Sequence, residues 1–405
     1  MNVNKDRRPL EGIRILDLST VIAAPYGATL LGDFGAEVIK IEMPGKGDPL
    51  RNLGPYHNGE GLRWPGMSRN KKSLTLDLHQ EEGKEILREL ARKSDMIIEN
   101  FRTGTLEKWG IGYEDLKKVN PSLIMIRVTG YGQTGPYSHK AGFGTPATAF
   151  SGFTYLHGYP DRAPISPSFS LADYVTGIYV AFAAVTAMYY RDCQESDSNS
   201  GQYVDVSLYE SMFRMMEFLV TEYDQTGRVK ERSPGLSGHS APAGNFLTKD
   251  EQWIILVTSS DKTFERLAKA MNREDMLTDE RYHTNSVRLA RFDEVNGIVA
   301  DWVATKTTEE LQHLLDDCGV PMSRIYSIKD IFEDPQYEAR GNIVEVNHPR
   351  LGKVKIPGVV PKFSETPGSI KQIAPDLGEH TNEILNDLLE LDEETIARLK
   401  EKNVI

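Results

Sequence analysis

The sequence predicts an α/β fold, a mostly parallel, doubly wound sheet joined to a smaller α+β domain. Three observations carry this. Strand-like apolar runs alternate with helix-like amphipathic runs from residue 13 to residue 128. Two long stretches rich in Gly, Pro, Asn and aromatics, 48–70 and 130–167, interrupt that alternation as ordered crossings. Composition then shifts through 227–244, and a segment of different strand and helix spacing follows.

Taken in order, residues 13–18 read as a buried strand, 25–33 as a helix stopped by Gly35, and 37–42 as a second strand, a βαβ unit. Strand 74–78, helix 81–93, strand 95–99, short helices around Leu106 and Leu116, and strand 123–128 continue the pattern. A long apolar helix opens near Asp173, followed by strand 202–208 and helix 209–223. The smaller domain carries strand 253–258 and helices 262–271 and 289–304, and ends near Gly319-Val320-Pro321. The tail returns with β-like runs 343–346 and 353–356, a Pro-rich crossing and a closing helix from Thr381. The expected boundaries are 1–225 for the N-terminal part of the large domain, 226–330 for the small domain, and 331–405 for the segment returning to the large one.

The 405 residues are 39% apolar and 26% charged, an ordinary globular balance with length enough for a sizeable core. A net charge of −12 disfavours nucleic acid and anionic membranes as partners and points to small molecules. Cys193 and Cys318 show no CxxC spacing, the usage of a reducing compartment. Residues 1–9 lack the apolar core of a signal peptide, and the longest apolar run, 178–188, is shorter than the roughly 20 residues a membrane crossing takes. A cytoplasmic protein is expected.

The stretch with most chemistry in it is 166–177, where a lone carboxylate, Asp173, opens an apolar helix expected to lie in a core. Ser170 followed three residues later by an acid is a helix-start pattern, so Asp173 reads as a capping carboxylate at the positive end of the helix dipole. The same placement favours an ionised carboxylate that can act as a covalent nucleophile. Both readings stand at this point. GYGQTG at 130–135 matches GxGxxG, but Pro136 and more loop follow where a dinucleotide site needs a helix, and no acid stands about 20 residues on. The nine histidines show no metal-ligand spacing. Asn100, Phe101 and Arg102 after strand 95–99, with Lys108 beyond, fall on the sheet edge where ligands bind, as either a phosphate-facing set or a solvated basic face. The Gly-rich run 235–244 reads as a flap over substrate or as an interdomain linker.

These pieces resemble the class III coenzyme A transferases, the family of formyl-CoA transferase, carnitine CoA-transferase, the bile-acid CoA-transferases and α-methylacyl-CoA racemase. The matching motifs are GIRILDL (12–18), GAEVIKIE (35–42), RNKKS (69–73), LDL (76–78), ENFRTG (99–104), NPSL (120–123), GYGQTGP (130–136), Ala172-Asp173, GVP (319–321), DPQ (334–336), HPRLG (348–352) and LGEHT (377–381), in order along the chain. The resemblance implies a Rossmann-like large domain built from both chain ends, a small domain between, and an interlocked homodimer. It implies Asp173 as nucleophile, forming an aspartyl-acyl anhydride and then an aspartyl-CoA thioester. It implies no permanently bound cofactor, coenzyme A entering as the thioester substrate, and acyl-CoA and carboxylate substrates as partners. Carried over position by position, Ile22, Ala23, Leu76, Asp77, Leu78, His79, Asn100, Phe101, Arg102 and Lys108 resemble CoA-binding segments, and Gly238 and His239 an acyl or acceptor loop. Lys108 stands where an arginine is common, and Ile22 where some members carry a polar residue.

The racemase branch pairs its aspartate with a histidine in a Gly-His-Asp loop. Here the loop reads Gly142-Phe143-Gly144, and Phe143 cannot move a proton, so racemisation lacks a base. The acid that many transferases carry in this loop is absent too. TVIAAP (20–25), TLEKWG (105–110) and TKD (248–250) look most like the branch that uses succinyl-CoA with malate, citramalate or itaconate as acceptor. Racemase or isomerase chemistry and a carnitine-type transferase are the alternatives, and Ser237, His239 and Arg162 are the candidate clamps for an acceptor carboxylate.

Overall fold

Six strands, β1 (Arg14–Asp17), β2 (Glu37–Glu42), β3 (Lys71–Thr75), β4 (Met96–Glu99), β5 (Ile124–Thr129) and β6 (Tyr203–Ser207), form one sheet in the order β3-β2-β1-β4-β5-β6. Every neighbouring pair is parallel. This comes from a computed structural model, which describes residues 8–193, 200–233 and 238–405. The strand order reverses between β1 and β4, the switch point beside which open α/β sheets bind ligands.

The strands are near-continuous apolar runs because both faces are covered. On one face Leu16, Ile39, Leu74 and Ile97 pack against α2 (Glu81–Arg92), α3 (Thr105–Lys108) and α4 (Tyr113–Val119). On the other, Ile15, Val38, Ile98 and Ile126 pack against α1 (Ala23–Asp33), α5 (Gly144–Phe150), α6 (Leu171–Asp192) and α7 (Leu208–Phe213). A 3-10 turn, Arg214–Met216, separates α7 from α8 (Glu217–Thr226), so the continuous helix expected over 209–223 is broken in two.

Other expectations are corrected as well. The strand expected at 74–78 lies three residues earlier, because it opens on Lys71, a buried residue whose ammonium reaches Asp17 at 2.8 Å. An apolar-pattern reading starts the strand only where the charges stop. The crossing at 130–167 contains α5. The α6 helix is buried along one face only, by Ala172, Thr176, Gly177, Val180, Ala184 and Ala187. Its other face exposes Ile178, Phe182, Val185 and Tyr189. At 22 residues it is also longer than its apolar run and is, by length and composition, long and apolar enough to cross a membrane. Here it packs on α1, and its last turn buries Arg191 against Asp95 at 3.1 Å.

The chain divides into two units. One comprises Met1–Thr154, Ser166–Arg228 and Glu338–Ile405 and holds the six-stranded sheet. Its C-terminal segment closes onto β3: His380 N donates to Ser73 O at 2.9 Å and Asp77 N to Val404 O at 2.7 Å. The other comprises Tyr155–Ile165 and Val229–Tyr337. Tyr155–Ile165 belongs there because Tyr155 Oη donates to Glu231 at 2.7 Å and Arg232 Nε to Tyr159 O at 3.1 Å. This unit carries an antiparallel sheet of β7 (Ala243–Leu247), β8 (Trp253–Val257) and β9 (Met322–Arg324), with β8 central and β7 a strand not expected between the Gly-rich run 235–244 and strand 253–258. Helices α9 (Asp261–Ala270), α10 (Phe292–Val303) and α11 (Thr308–Cys318) cover it, the last opened by a Thr307/Glu310 capping box.

The α1 and α6 helices approach closely because glycines face each other. A Cβ on Gly177 would meet Tyr26 Cδ1 at 2.7 Å and Ala23 O at 2.8 Å, and one on Gly27 would run into Val180. Overpacking of this kind costs about 1–3 kcal/mol. Gly177→Ala is therefore expected to lower the urea-unfolding free energy by about that amount, with an unchanged m-value, as read by equilibrium denaturation.

Candidate active site

The site grows out of the turn between β1 and α1. Asn100, just past β4, reaches across the switch point: its side-chain oxygen accepts from Thr20 N and its amide donates to Thr20 O, each at 2.8 Å. A cavity of about 190 Å³ opens beside this clasp, lined by Thr20, Ile22, Ala23, Asn100, Phe101, Arg102, Lys140, Phe143 and Asp173 among others. A second cavity of about 120 Å³ adjoins it, lined by Leu76, Leu78, His79 and Trp109, with Thr20 and Phe101 lining both. Together they form a groove along the C-terminal edge of the sheet.

Asp173 sits in the first turn of α6, half-buried. Ser170 occupies the N-cap position but makes no side-chain cap bond, so the expected capping pattern is not realised. Burial in apolar surroundings raises the Asp173 carboxyl to about 6, and its own backbone N–H pulls only weakly the other way. The helix end was expected to favour the ionised form; desolvation overrides it. No ion-pair partner for Asp173 is found among the described residues. One carboxylate oxygen lies so close to Gly144 that any side chain there would collide with it. The loop acid missing from the sequence therefore has no room in this arrangement.

Glycine also explains the GxGxxG look-alike. A Cβ on Gly130 would lie 2.5 Å from Gly142 Cα, so the two backbones touch and bring the Phe143 loop against the end of β5. The segment after it is loop up to α5, and Gln133 N donates to Asp205 at 2.7 Å. Phe143 is 71% exposed at the rim of the cavity.

Asp77 lines neither cavity: it turns its carboxylate back to accept from His79 N at 3.0 Å, and His79, in the second cavity, packs edge-on to Trp109 at 4.8 Å. Trp109 in turn meets Phe101 at 5.3 Å. Burial pushes the Asp77 carboxyl up, but the His79 and Gln80 hydrogen bonds outweigh it and hold it low. Of the sequence candidates, Ile22, Ala23, Asn100, Phe101, Arg102 and Asp173 gather in the first cavity and Leu76, Leu78 and His79 in the second, while Lys108 is exposed on α3 outside both. Gly238 and His239 belong to the second unit, where Asn285 Nδ2 donates to His239 O at 3.0 Å. Arg162 is in that unit as well, paired with Asp161 at 3.1 Å, and Ser237 lies outside the described residues. Lys140 was missed: its ammonium stands 3.6 Å over the Tyr137 ring while the residue lines the first cavity. Its one sequence signal is a cation two residues before the Gly142-Phe143-Gly144 loop. Among the described residues, no group of three or more His, Cys, Asp or Glu is arranged to hold a metal ion.

The chain is similar over nearly its whole length to known enzymes. The model of CoA-transferase family III matches residues 10–381. The succinyl-CoA–L-malate CoA-transferase beta subunit of Chloroflexus aurantiacus is 45% identical over 401 residues, 98% of each chain. The succinyl-CoA–D-citramalate CoA-transferase of the same organism is 42% identical over 406 residues, 100% of each. A solved structure, a CAIB/BAIF family protein from Brucella suis, matches with a TM-score of 0.82 at 31% identity over 95% of this chain and 100% of that one.

Two outcomes follow from the geometry. Asp173 binds its proton more tightly folded than unfolded, so its ionisation costs stability as pH rises from about 4 to beyond about 6, on the order of 3 kcal/mol in full. Asp173→Asn should therefore melt above the wild type near pH 8 by calorimetry, with the advantage gone below about pH 4. Gly144→Ala should displace the carboxylate and lower the unfolding free energy by about 1–3 kcal/mol in equilibrium denaturation, the scale of overpacking.

Proposed function

The chain belongs to CoA-transferase family III and is a class III CoA-transferase; we propose that Asp173 is its nucleophile and that the groove at the sheet edge holds the acyl-CoA. The observation that carries this is a half-buried carboxylate with no ion-pair partner among the described residues, raised by burial, facing the cavity at the switch point. A partly desolvated carboxylate without a counter-ion is a better nucleophile than a capping one.

In the proposed sequence, an Asp173 oxygen attacks the donor thioester carbonyl, the C–S bond breaks, and CoA leaves as thiolate from an aspartyl-acyl anhydride. The thiolate attacks the aspartyl carbonyl and expels the donor carboxylate, leaving an aspartyl-CoA thioester. The acceptor carboxylate displaces CoA to form a second anhydride. The thiolate then attacks the acceptor's carbonyl, releasing the new acyl-CoA and free Asp173. Protons and charge balance throughout, since one carboxylate enters and one leaves. The cations lining or flanking the groove, Arg102, Lys140 and Lys108, suit the phosphates of CoA. Phe101 and Trp109 offer apolar walls for the pantetheine arm.

Succinyl-CoA as donor and a small dicarboxylic acid of the malate or citramalate kind as acceptor are proposed from the relatives' activities. We place the enzyme in the cytoplasm, where the free thiols of Cys193 and Cys318 persist. A homodimer is part of the proposal too, because α6, the end of α7 and the turn after it expose Ile178, Phe182, Val185, Phe213 and Met215, an apolar surface of the kind a subunit contact covers.

Mixing the protein with succinyl-CoA should give a CoA or succinyl adduct by intact mass, absent in Asp173→Ala. Turnover by Asp173→Ala at the wild-type rate would overturn the assignment. Because the nucleophile must be ionised, kcat/KM should fall about tenfold per pH unit below about 6 and level off above it. Racemisation instead predicts deuterium entering the α-carbon from heavy water with no acyl exchange.

A further inference from the structure

We propose that Asp48 is a positioning residue: with Lys40, it holds the strained turn before α1 in the conformation that brings Ile22 and Ala23 to the cavity of Asp173. This rests on the reading of that cavity as the reaction centre.

The turn is anomalous at Val21, whose φ is +68°. A β-branched residue in that region is a genuine outlier and persists only where the surroundings over-determine it. They do so here. Asp48 Oδ1 and Oδ2 accept from Val21 N at 3.0 and 3.2 Å. Lys40 stands 3.0 Å from Asp48 and also donates to Ser19 O. With the Asn100 clasp on Thr20, three successive residues of the turn are gripped by side chains from other segments.

Asp48 is 1% exposed and fully engaged: Oδ1 also accepts from Leu50 N at 2.8 Å, and its own N–H donates to Glu42 at 2.9 Å. An asparagine cannot replace it. Turned one way, its amide would face the Val21 and Leu50 N–H groups; turned the other, it would face Val21 N–H and the Lys40 ammonium. Either orientation sets donor against donor. Glycine is the residue that adopts this φ unaided, so the chain keeps a valine only by supplying the clamp. The valine has a use there: it packs on the cluster of Ile22, Leu50 and Trp64 that also takes in Tyr26 and Tyr174, and Tyr174 directly follows Asp173. Tyr26 meets Tyr174 edge-on at 5.0 Å. The clamp thus ties the turn to the same apolar cluster as the start of α6.

The test uses the full chain, with the rate of adduct formation from succinyl-CoA read by intact mass so that no acceptor need be known, and thermal midpoints alongside. Asp48→Asn should slow adduct formation by about 30-fold or more, a drop in the maximal rate larger than the rise in half-saturating succinyl-CoA. Adding Val21→Gly to Asp48→Asn should restore the rate to within about tenfold of wild type, because glycine holds the turn without the clamp. A merely structural Asp48 would let the double variant regain stability without regaining rate, and that result overturns the proposal. So does an Asp48→Asn rate within about threefold of wild type. If Asp48→Asn does not fold, the double variant decides alone: near-wild-type rate supports the proposal, and a slow or unfolded double variant overturns it. Asp173→Ala run in parallel separates the two readings, since its retained activity sinks the nucleophile assignment whatever Asp48 does.

Discussion

The site depends on a chain of buried charges beneath it. Asp17 on β1, Lys40 on β2, Asp48 in the loop after β2 and Lys71 on β3 are each at most 1% exposed. Lys71 meets Asp17 at 2.8 Å and Lys40 meets Asp48 at 3.0 Å, with Lys40 3.9 Å from Asp17 as the link. Burial pushes the Asp17 carboxyl up, but Lys40 and Lys71 outweigh it and hold it low; burial pushes Lys40 down, but Asp17 and Asp48 outweigh that. Taking such ions out of water costs several kcal/mol apiece, repaid only when every member is paired, so removing one strands the rest. The chain spans three adjacent strands, and it fixes their shared edge where Ser19 and the turn before α1 begin.

Around that edge the loops are held by one device, a carboxylate accepting a backbone N–H. Glu99 holds Phe101 N at 2.8 Å, Asp77 holds His79 N at 3.0 Å, and Asp205 holds Gln133 N at 2.7 Å. Glu99 is itself gripped by Arg127 at 2.8 Å, although burial still leaves its carboxyl raised. Asp173 is the contrast: a carboxylate at the same edge that pins no loop and meets no cation among the described residues. Its raised protonation range is a local instability that well-paired neighbours make tolerable.

Glycine does at the site what charge does beneath it. Gly130 against Gly142, and Gly144 against the Asp173 carboxylate, let backbones and a carboxylate oxygen come closer than any side chain permits. That contact removes the room for a second acid in the loop, and Phe143 at the rim offers no proton. In that loop, then, neither Phe143 nor Gly144 supplies a group that moves a proton.

The sequence by itself determined the alternation that builds the sheet, the opening of a long helix at Asp173, and the Asn100–Phe101–Arg102 segment after a strand, because helix and strand periods and strand-end positions are local properties. A chain-long set of motifs added the family. Only the tertiary structure decided whether Asp173 caps its helix or stands desolvated, since that depends on Gly144 and on loops tens of residues away. It also decided that Lys71 is buried while Lys72, its neighbour on the same strand, is only half-buried, because Lys71 is drawn inward by Asp17, 54 positions earlier. The same holds for Asp48, which reads as a loop acid until the fold sets it against Val21, 27 positions back. Local pattern reports where a side chain points; which group it meets there is set by long-range packing, and the chemistry of this site rests on those meetings.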